Sequence, residues 1–397
     1  MRTSRFLSVL GFLLLSGASG LFAQAIDIGD AVRTGKGTLP VAVQSADPAV
    51  QTLARRAFGL HGGYSVVTTD QAAFIFSLEP AGSAVTLVVS SGRPAQEQLR
   101  RTVNGASLQE ATLKACDLAV QATLKLPGFF SGKLAFVGKQ RGVTEIYTAD
   151  FMFTRVRSLT SDRALVVGPD WSPDGSQILY TTYYRSGFPD IYKIDLRSGQ
   201  RTPIATFKGT NAGAEFSPDG RRITMALSGT GNSEIYVSDA NGRSMKRLTN
   251  NRSLEAAPSW SPDGRRIVFS SDERGKPQLY EISATGGPSR IIRTNVSNYC
   301  SEPQWNPRND KQIVFTAAVG NGFQLALYDA ATGGSKILTS VRNDAIEPSW
   351  LNDGRHIIFT QRTDGKKRLM LLDSESGKVS PLHSPSFGEA SSASFVY

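Results

Sequence analysis

The sequence predicts a mainly β protein: a six-bladed β-propeller of four-stranded blades, its ring closed by the C-terminal strand, preceded by a small α/β domain. Three features of the 397 residues that recur together carry that prediction. An aromatic residue heads each of five similar stretches, at Trp171, Phe216, Trp260, Trp305 and Trp350, with steps of 45, 44, 45 and 45. A second landmark keeps the same beat: "EIY" at 145–147, "DIY" at 190–192, "EIY" at 234–236 and "QLY" at 278–280, weakening to "QLA" at 324–326 and "RLM" at 368–370. A third closes the unit, as "RSLT" at 157–160, "KRLT" at 246–249 and "KILT" at 336–339. Units of this length holding four short apolar runs are propeller blades, since a helical solenoid would show a 3.6-residue period.

Read in chain order, the first element is a leader. Arg2 and Arg5 precede an apolar run from Phe6 to Leu15, and Ala23-Gln24-Ala25 has the small-x-small form of a cleavage site, so residues 1–25 read as a signal peptide and Ile26 as the mature start. The apolar run is too short for a permanent span, and no later stretch reaches the roughly 20 apolar residues that spanning requires. An exported, periplasmic and monomeric protein that does not cross the membrane is expected.

Residues 26–127 lack the repeat and form the predicted α/β domain. "TLPVAVQS" reads as a strand, Asp47 as a helix cap, Pro48 as the first helical residue and "AVQTLARRAFGL" as the helix. "AFIFSLE" and "AVTLVVSS" form a hairpin around Pro80 to Ser83. Ser107 and Glu110 make a capping box, with apolar residues from Leu108 to Leu126 following at helical spacing. Cys116 lies beside that stripe and reads as a core thiol. A disulfide to Cys300, the only other cysteine, would have to join two distant regions.

From 128 onward the chain is propeller. Six second strands can be counted, beginning near 132, 175, 220, 264, 311 and 354. The first unit has no aromatic entry strand of its own. One further period beyond Trp350 falls on Phe395 in "SASFVY", so residues 391–397 are expected to complete the first blade and remove a free strand edge.

Chemistry finds little purchase in these patterns. In "SPDG" the proline, aspartate and glycine suit a tight strand connection, so Asp174, Asp219 and Asp263 read as turn residues. The repeated aromatics, Phe395 included, read as packing between blades. His61, His356 and His383 are the only histidines and show no metal-ligand spacing, and neither a Gly-x-Ser-x-Gly elbow nor a phosphate loop is present. No catalytic residue and no dedicated metal site is expected. The formal charge of +10, or +8 without Arg2 and Arg5, favours acidic partners or an anionic surface. Basic residues scattered without aromatic interleaving argue against nucleic acid. What remains is the axial mouth of the ring, where Asn211, Ala212, Gly213, Glu255, Ala256, Glu302 and Glu347 precede the aromatics. Carboxylates there could bind a partner's basic groups or a cation such as Ca²⁺ in the channel.

The exported chain, the α/β domain, the join "LKLPGFFSGKLAFV" at 124–137 and the stretch from 213 to 264 resemble the TolB family of the Tol-Pal envelope system. The resemblance implies a non-enzymatic adaptor whose propeller mouth docks the peptidoglycan-associated lipoprotein Pal. "TFKGTNAGAEF" and "NNRSLEAAPSW" match the family's mouth loops. It also implies that the mature N-terminus, here Ile26, Asp27, Ile28, Gly29 and Asp30, engages a TolA-like protein, and that the whole supports envelope integrity and constriction. Two other readings share the fold: a propeller hydrolase or lactonase with a channel metal, and a generic glycan- or peptide-binding propeller.

Overall fold

A computed structural model describes residues 37–397. The predicted leader and the tail residues Ile26 to Asp30 lie outside the described residues.

The N-terminal domain is a five-stranded sheet with two helices. Its strands are β1 (Leu39–Gln44), β2 (Tyr64–Val66), β3 (Phe74–Ala81), β4 (Ala84–Ser91) and β5 (Gln96–Asn104), in the order β2-β1-β3-β4-β5. β1 lies parallel to both β2 and β3, and the other pairs are antiparallel. Helix α1 (Pro48–Leu60) starts as its sequence demands: the Asp47 carboxylate accepts the N–H groups of Ala49 and Val50 at 2.8 and 3.1 Å. Helix α2 (Leu108–Leu124) opens on the predicted box. Ser107 Oγ accepts the Glu110 N–H, and the Glu110 carboxylate reaches back to the Ala106 N–H. The hairpin turns later than predicted, at Gly82-Ser83, because Pro80 stays within β3. β5 carries no apolar alternation; it is an edge strand whose "QEQLRRTVN" is largely exposed.

The propeller has six four-stranded sheets. The strands that carry the aromatics, Val166–Trp171, Asn211–Phe216, Glu255–Trp260, Cys300–Trp305 and Asp344–Trp350, head five of them and face one another around the axis. The sixth is headed by Glu389–Val396, which pairs antiparallel with Lys133–Gln140 so that Phe395 lies opposite Leu134. The C-terminal strand therefore closes the first blade, as the spacing predicts.

Each landmark has a physical task. The SPDG turns are held by their aspartates: Asp219 Oδ1 accepts from Ser217 Oγ at 2.6 Å and from the Arg221 N–H at 3.0 Å, and Asp263 repeats this with Ser261 and Arg265. The threonine of the closing landmark caps the third strand, with Thr249 Oγ1 accepting from the Ile235 N–H and Thr339 Oγ1 from the Leu325 N–H, both at 2.9 Å. Trp171, Phe216, Trp260, Trp305 and Trp350 are buried between blades, and Phe395 is half-buried. Trp260 and Trp305 are covered by the guanidinium groups of Arg222 and Arg266, each 4.6 Å from the ring centre. Cys116 and Cys300 are buried free thiols.

Candidate partner-binding face

The two faces of the ring differ in what covers them. The turns between first and second strands point toward the N-terminal domain. On that side Asn352 Nδ2 donates to the Gly128 carbonyl at 3.1 Å, and Lys378 Nζ to the Gly59 carbonyl at 2.5 Å. Between these contacts lies a buried cluster. His356 Nδ1 is 2.6 Å from Asp353 Oδ2, its Nε2 is 3.3 Å from Asp373 Oδ2, and Arg355 clasps that same Asp373 oxygen at 2.8 and 3.0 Å. His61, at the end of α1, packs edge-on against His356 with ring centres 4.3 Å apart. Burial, then the positive charges of His356 and Arg355, hold His61 well below the ordinary imidazole range, so it is neutral. Burial also disfavours charge on His356, but the Asp353 and Asp373 carboxylates outweigh it and raise its pKa.

His61, Asp353 and His356 bring donor atoms within 4.8 Å of one another. His61 Nδ1 accepts the Gly63 N–H at 3.0 Å, and its buried Nε2 has no hydrogen-bond partner among the described residues. Asp353 Oδ1 accepts two backbone N–H groups, from Arg355 and His356, while its Oδ2 holds the His356 ring. This joint was not foreseen, although the sequence carries a signal for it. Blade six reads "LNDGRH" where blades three and four read "SPDGRR", so the Arg that covers the next aromatic becomes His356 where the N-terminal domain must dock.

The opposite face carries the loops from second to third strands and from each blade to the next. It surrounds an axial cavity of about 300 Å³. One residue per blade there adopts positive φ: Gly168, Gly213, Ala257, Glu302, Glu347 and Ser392, at 50° to 64°. Each sits at a register break in its innermost strand, so the ring of six is a ring of β-bulges that turns these residues toward the axis. Glu302 Oε2 accepts from Thr316 Oγ1 at 2.7 Å and from the Glu347 N–H at 2.9 Å. Glu347 Oε2 in turn accepts from Thr360 Oγ1 at 2.7 Å and from the Ser392 N–H at 3.0 Å. Burial and the neighbouring Glu347 raise the Glu302 pKa.

A second layer stands just before the aromatics. Asp170 accepts the Phe216 N–H and Glu215 the Trp260 N–H, each at 2.9 Å, and Ser259 and Ser394 do the same for Trp305 and Trp171 at 3.3 and 3.2 Å. Blade is thus latched to blade by a side chain that reaches the next backbone. Burial lifts Asp170 to about 7; burial, then the Asp170 charge, lifts Glu215 to about 8. Asp170 and Glu215 escaped the sequence reading because their partners lie 45 or so residues away.

The predicted mouth residues divide. Ala212 and Ala256 are half-buried, Gly213 is exposed, and Glu302 and Glu347 line the cavity. Asn211 and Glu255, expected to touch a partner, are instead fully buried in the wall behind the mouth. Asn211 Nδ2 donates to the carbonyls of Phe207 and Pro189 at 2.7 and 3.0 Å, so it braces the loop before it. Glu255 accepts from Asn251 Nδ2 at 2.6 Å, and burial lifts its carboxyl to about 7. A polar residue at a strand head looks like surface in a sequence, whereas here each is the internal support of a loop.

The family model described as the TolB beta propeller domain matches residues 122–395. The chain belongs to the TolB β-propeller family. The Tol-Pal system protein TolB of Anaeromyxobacter dehalogenans (strain 2CP-1 / ATCC BAA-258) is 33% identical over 161 residues, 41% of this chain and 36% of that protein. TolB of Anaeromyxobacter sp. (strain K) matches to the same extent. These matches span little more than a third of the length of the curated relatives. Among solved structures, TolB from Acinetobacter baumannii superposes with a TM-score of 0.81 at 22% identity, covering 91% of this chain and 97% of that one. A putative TolB from Agrobacterium tumefaciens gives 0.51 at 19% identity, covering 64% and 88%. The TolB fold therefore extends through the N-terminal domain as well as the ring. Among the described residues no helix is long and apolar enough to cross a membrane.

Proposed function

We propose that the protein is a non-enzymatic periplasmic adaptor of a Tol-Pal envelope system, exported by its leader. Its open propeller face receives a peptidoglycan-associated lipoprotein of the Pal type, and its N-terminal tail, Ile26 to Asp30, engages a TolA-like protein. In that role it supports outer-membrane integrity and constriction during division.

The asymmetry of the two faces carries this reading. One face is occupied by the N-terminal domain through a buried, hydrogen-bonded joint, whereas the other, among the described residues, presents an open, bulge-lined mouth and a collar of hydrogen-bonded loops. Family membership supports the choice of system, and the open face supports the choice of docking place. The channel carboxylates Asp170, Glu215, Glu302 and Glu347 would offer oxygen ligands to a hard cation such as Ca²⁺. The test is a pull-down of the mature protein with the soluble domain of the host's own Pal-type lipoprotein. Stoichiometric capture is expected, and no capture at tens of micromolar would refute the proposal.

A further inference from the structure

Apart from Val319 on the fifth blade, the large exposed apolar side chains on the loops of the open face are gathered on one sector. Leu165 is 49% exposed, Phe188 62%, Phe207 50% and Leu254 56%; Leu165, Phe207 and Leu254 stand on loops that lead into the second, third and fourth blades, and Phe188 on the loop between the second and third strands of the second blade. Each has an exposed basic residue within three positions: Arg163, Arg185, Lys208 and Arg252 respectively. Among the described residues none of these four forms an ion pair. The carboxylate beside Arg163, that of Asp162, is taken by Arg201 at 2.7 Å. Arg274, Lys276 and Arg293 continue the positive charge along a shallow groove of the fourth blade, with Glu273 set against them.

These loops are braced from beneath. Phe207 is held through both its N–H and its carbonyl by Asn211, at 3.3 and 2.7 Å. The Leu254 N–H is bound by Asp272 at 2.7 Å, and Asn232 Nδ2 fastens the Asn251 and Ser253 carbonyls at 2.9 and 2.6 Å. Ser186 Oγ is within 3.1 Å of both backbone groups of Phe188 and donates to Asp190 at 2.8 Å. The Arg163 N–H is held by Glu145 at 2.8 Å. Exposed apolar tips on loops fixed by polar side chains beneath or beside them are pre-organised, which lowers the entropy lost on binding. A bilayer asks for no such fixed geometry, whereas a shaped protein surface does.

We infer that this sector docks an acidic protein surface, the four apolar tips entering it as anchors and the four basic residues meeting its carboxylates. The inference rests on the adaptor reading above and specifies the chemistry its partner must present. Asn211 and Glu255 act in it as positioning residues.

The experiment is isothermal titration of the mature protein with the soluble domain of the host's Pal-type lipoprotein. It compares wild type, the charge variant R163E/R185E/K208E/R252E, the apolar variant F188S/F207S/L254S, and the control R55E/R56E on α1. Melting curves establish that each variant is folded. Affinity is expected to fall by about 100-fold or more in the charge variant, with loss of salt dependence, and by about 30-fold or more in the apolar variant. The control should bind as wild type does. If either test variant binds as tightly as wild type, the sector is not the interface, while the adaptor reading stands. Failure of wild type to bind removes both. Binding of wild type to phosphatidylglycerol vesicles but not to the lipoprotein replaces the inference with a membrane-docking one.

Discussion

Substitution of Gly62 by alanine strikes the joint between the two domains at its tightest point. A Cβ there would lie 2.1 Å from Asp373 Oδ2 and 2.4 Å from Asp373 Cβ, so the aspartate must move. It has nowhere to go. Its Oδ1 accepts the N–H groups of Glu375 and Ser376, and its Oδ2 is held by Arg355 and His356. Expelling the carboxylate breaks its pairs with Arg355 and His356, which keep only Glu375 and Asp353 respectively, and breaking a buried pair costs about 3–5 kcal/mol. For domains of this size that is a fall of roughly 6–15 °C in melting temperature. Gly59, in the same helix end, supplies the control, because a Cβ there meets nothing within 4 Å. Alanine at 59 should stabilise by roughly 0.5–1 kcal/mol through helix propensity. Differential scanning calorimetry of both variants decides the matter: equal melting of Gly62→Ala and wild type would refute the described joint.

Two further outcomes are expected. Deletion of residues 391–397 removes most of the innermost strand of the first blade, including Phe395, and should lower the melting temperature sharply; an unchanged transition would contradict closure of the ring by this strand. Glu215, lifted to about 8 by burial and then by Asp170, keeps a proton that the unfolded chain releases near 4.5. Its contribution to stability therefore declines as pH rises from about 4.5 to 8. Glu215→Gln should flatten that decline in denaturant titrations across the range, and an unaltered slope would show that the carboxyl is not held in this way.

The repeat was legible because every blade solves the same problem with the same residues. The aromatic packs against a neighbour, the aspartate folds a turn and the threonine caps a strand, so each recurs near every 45th position. Ring closure was legible for the same reason, through Phe395. What stayed hidden is nonlocal or breaks the repeat. β5 has the composition of a loop and becomes a strand only because β4 offers it an edge. Asp170 and Glu215 latch onto backbone groups of the following blade, a relation no local pattern encodes. Asn211 and Glu255 are polar and read as surface in the sequence, yet Asn211 is buried with its amide bonded to the loop before it, and Glu255 is buried holding Asn251 while burial lifts its carboxyl toward the neutral form. The His61–His356 joint is visible in retrospect as a departure, since "LNDGRH" fails the pattern at Leu351, Asn352 and His356, where another domain has to fit. In a repeat protein the matches give the fold, and the mismatches mark where one blade differs in use from the rest.

Hydrogen–deuterium exchange of the mature protein, with and without the soluble domain of its Pal-type lipoprotein, tests the adaptor account most directly. Protection is predicted in the loops around residues 161–165, 183–189, 206–210 and 249–254, with the turn at 351–354 beneath the N-terminal domain unchanged. Protection confined to that turn side, or no change on any loop of the open face, would contradict it.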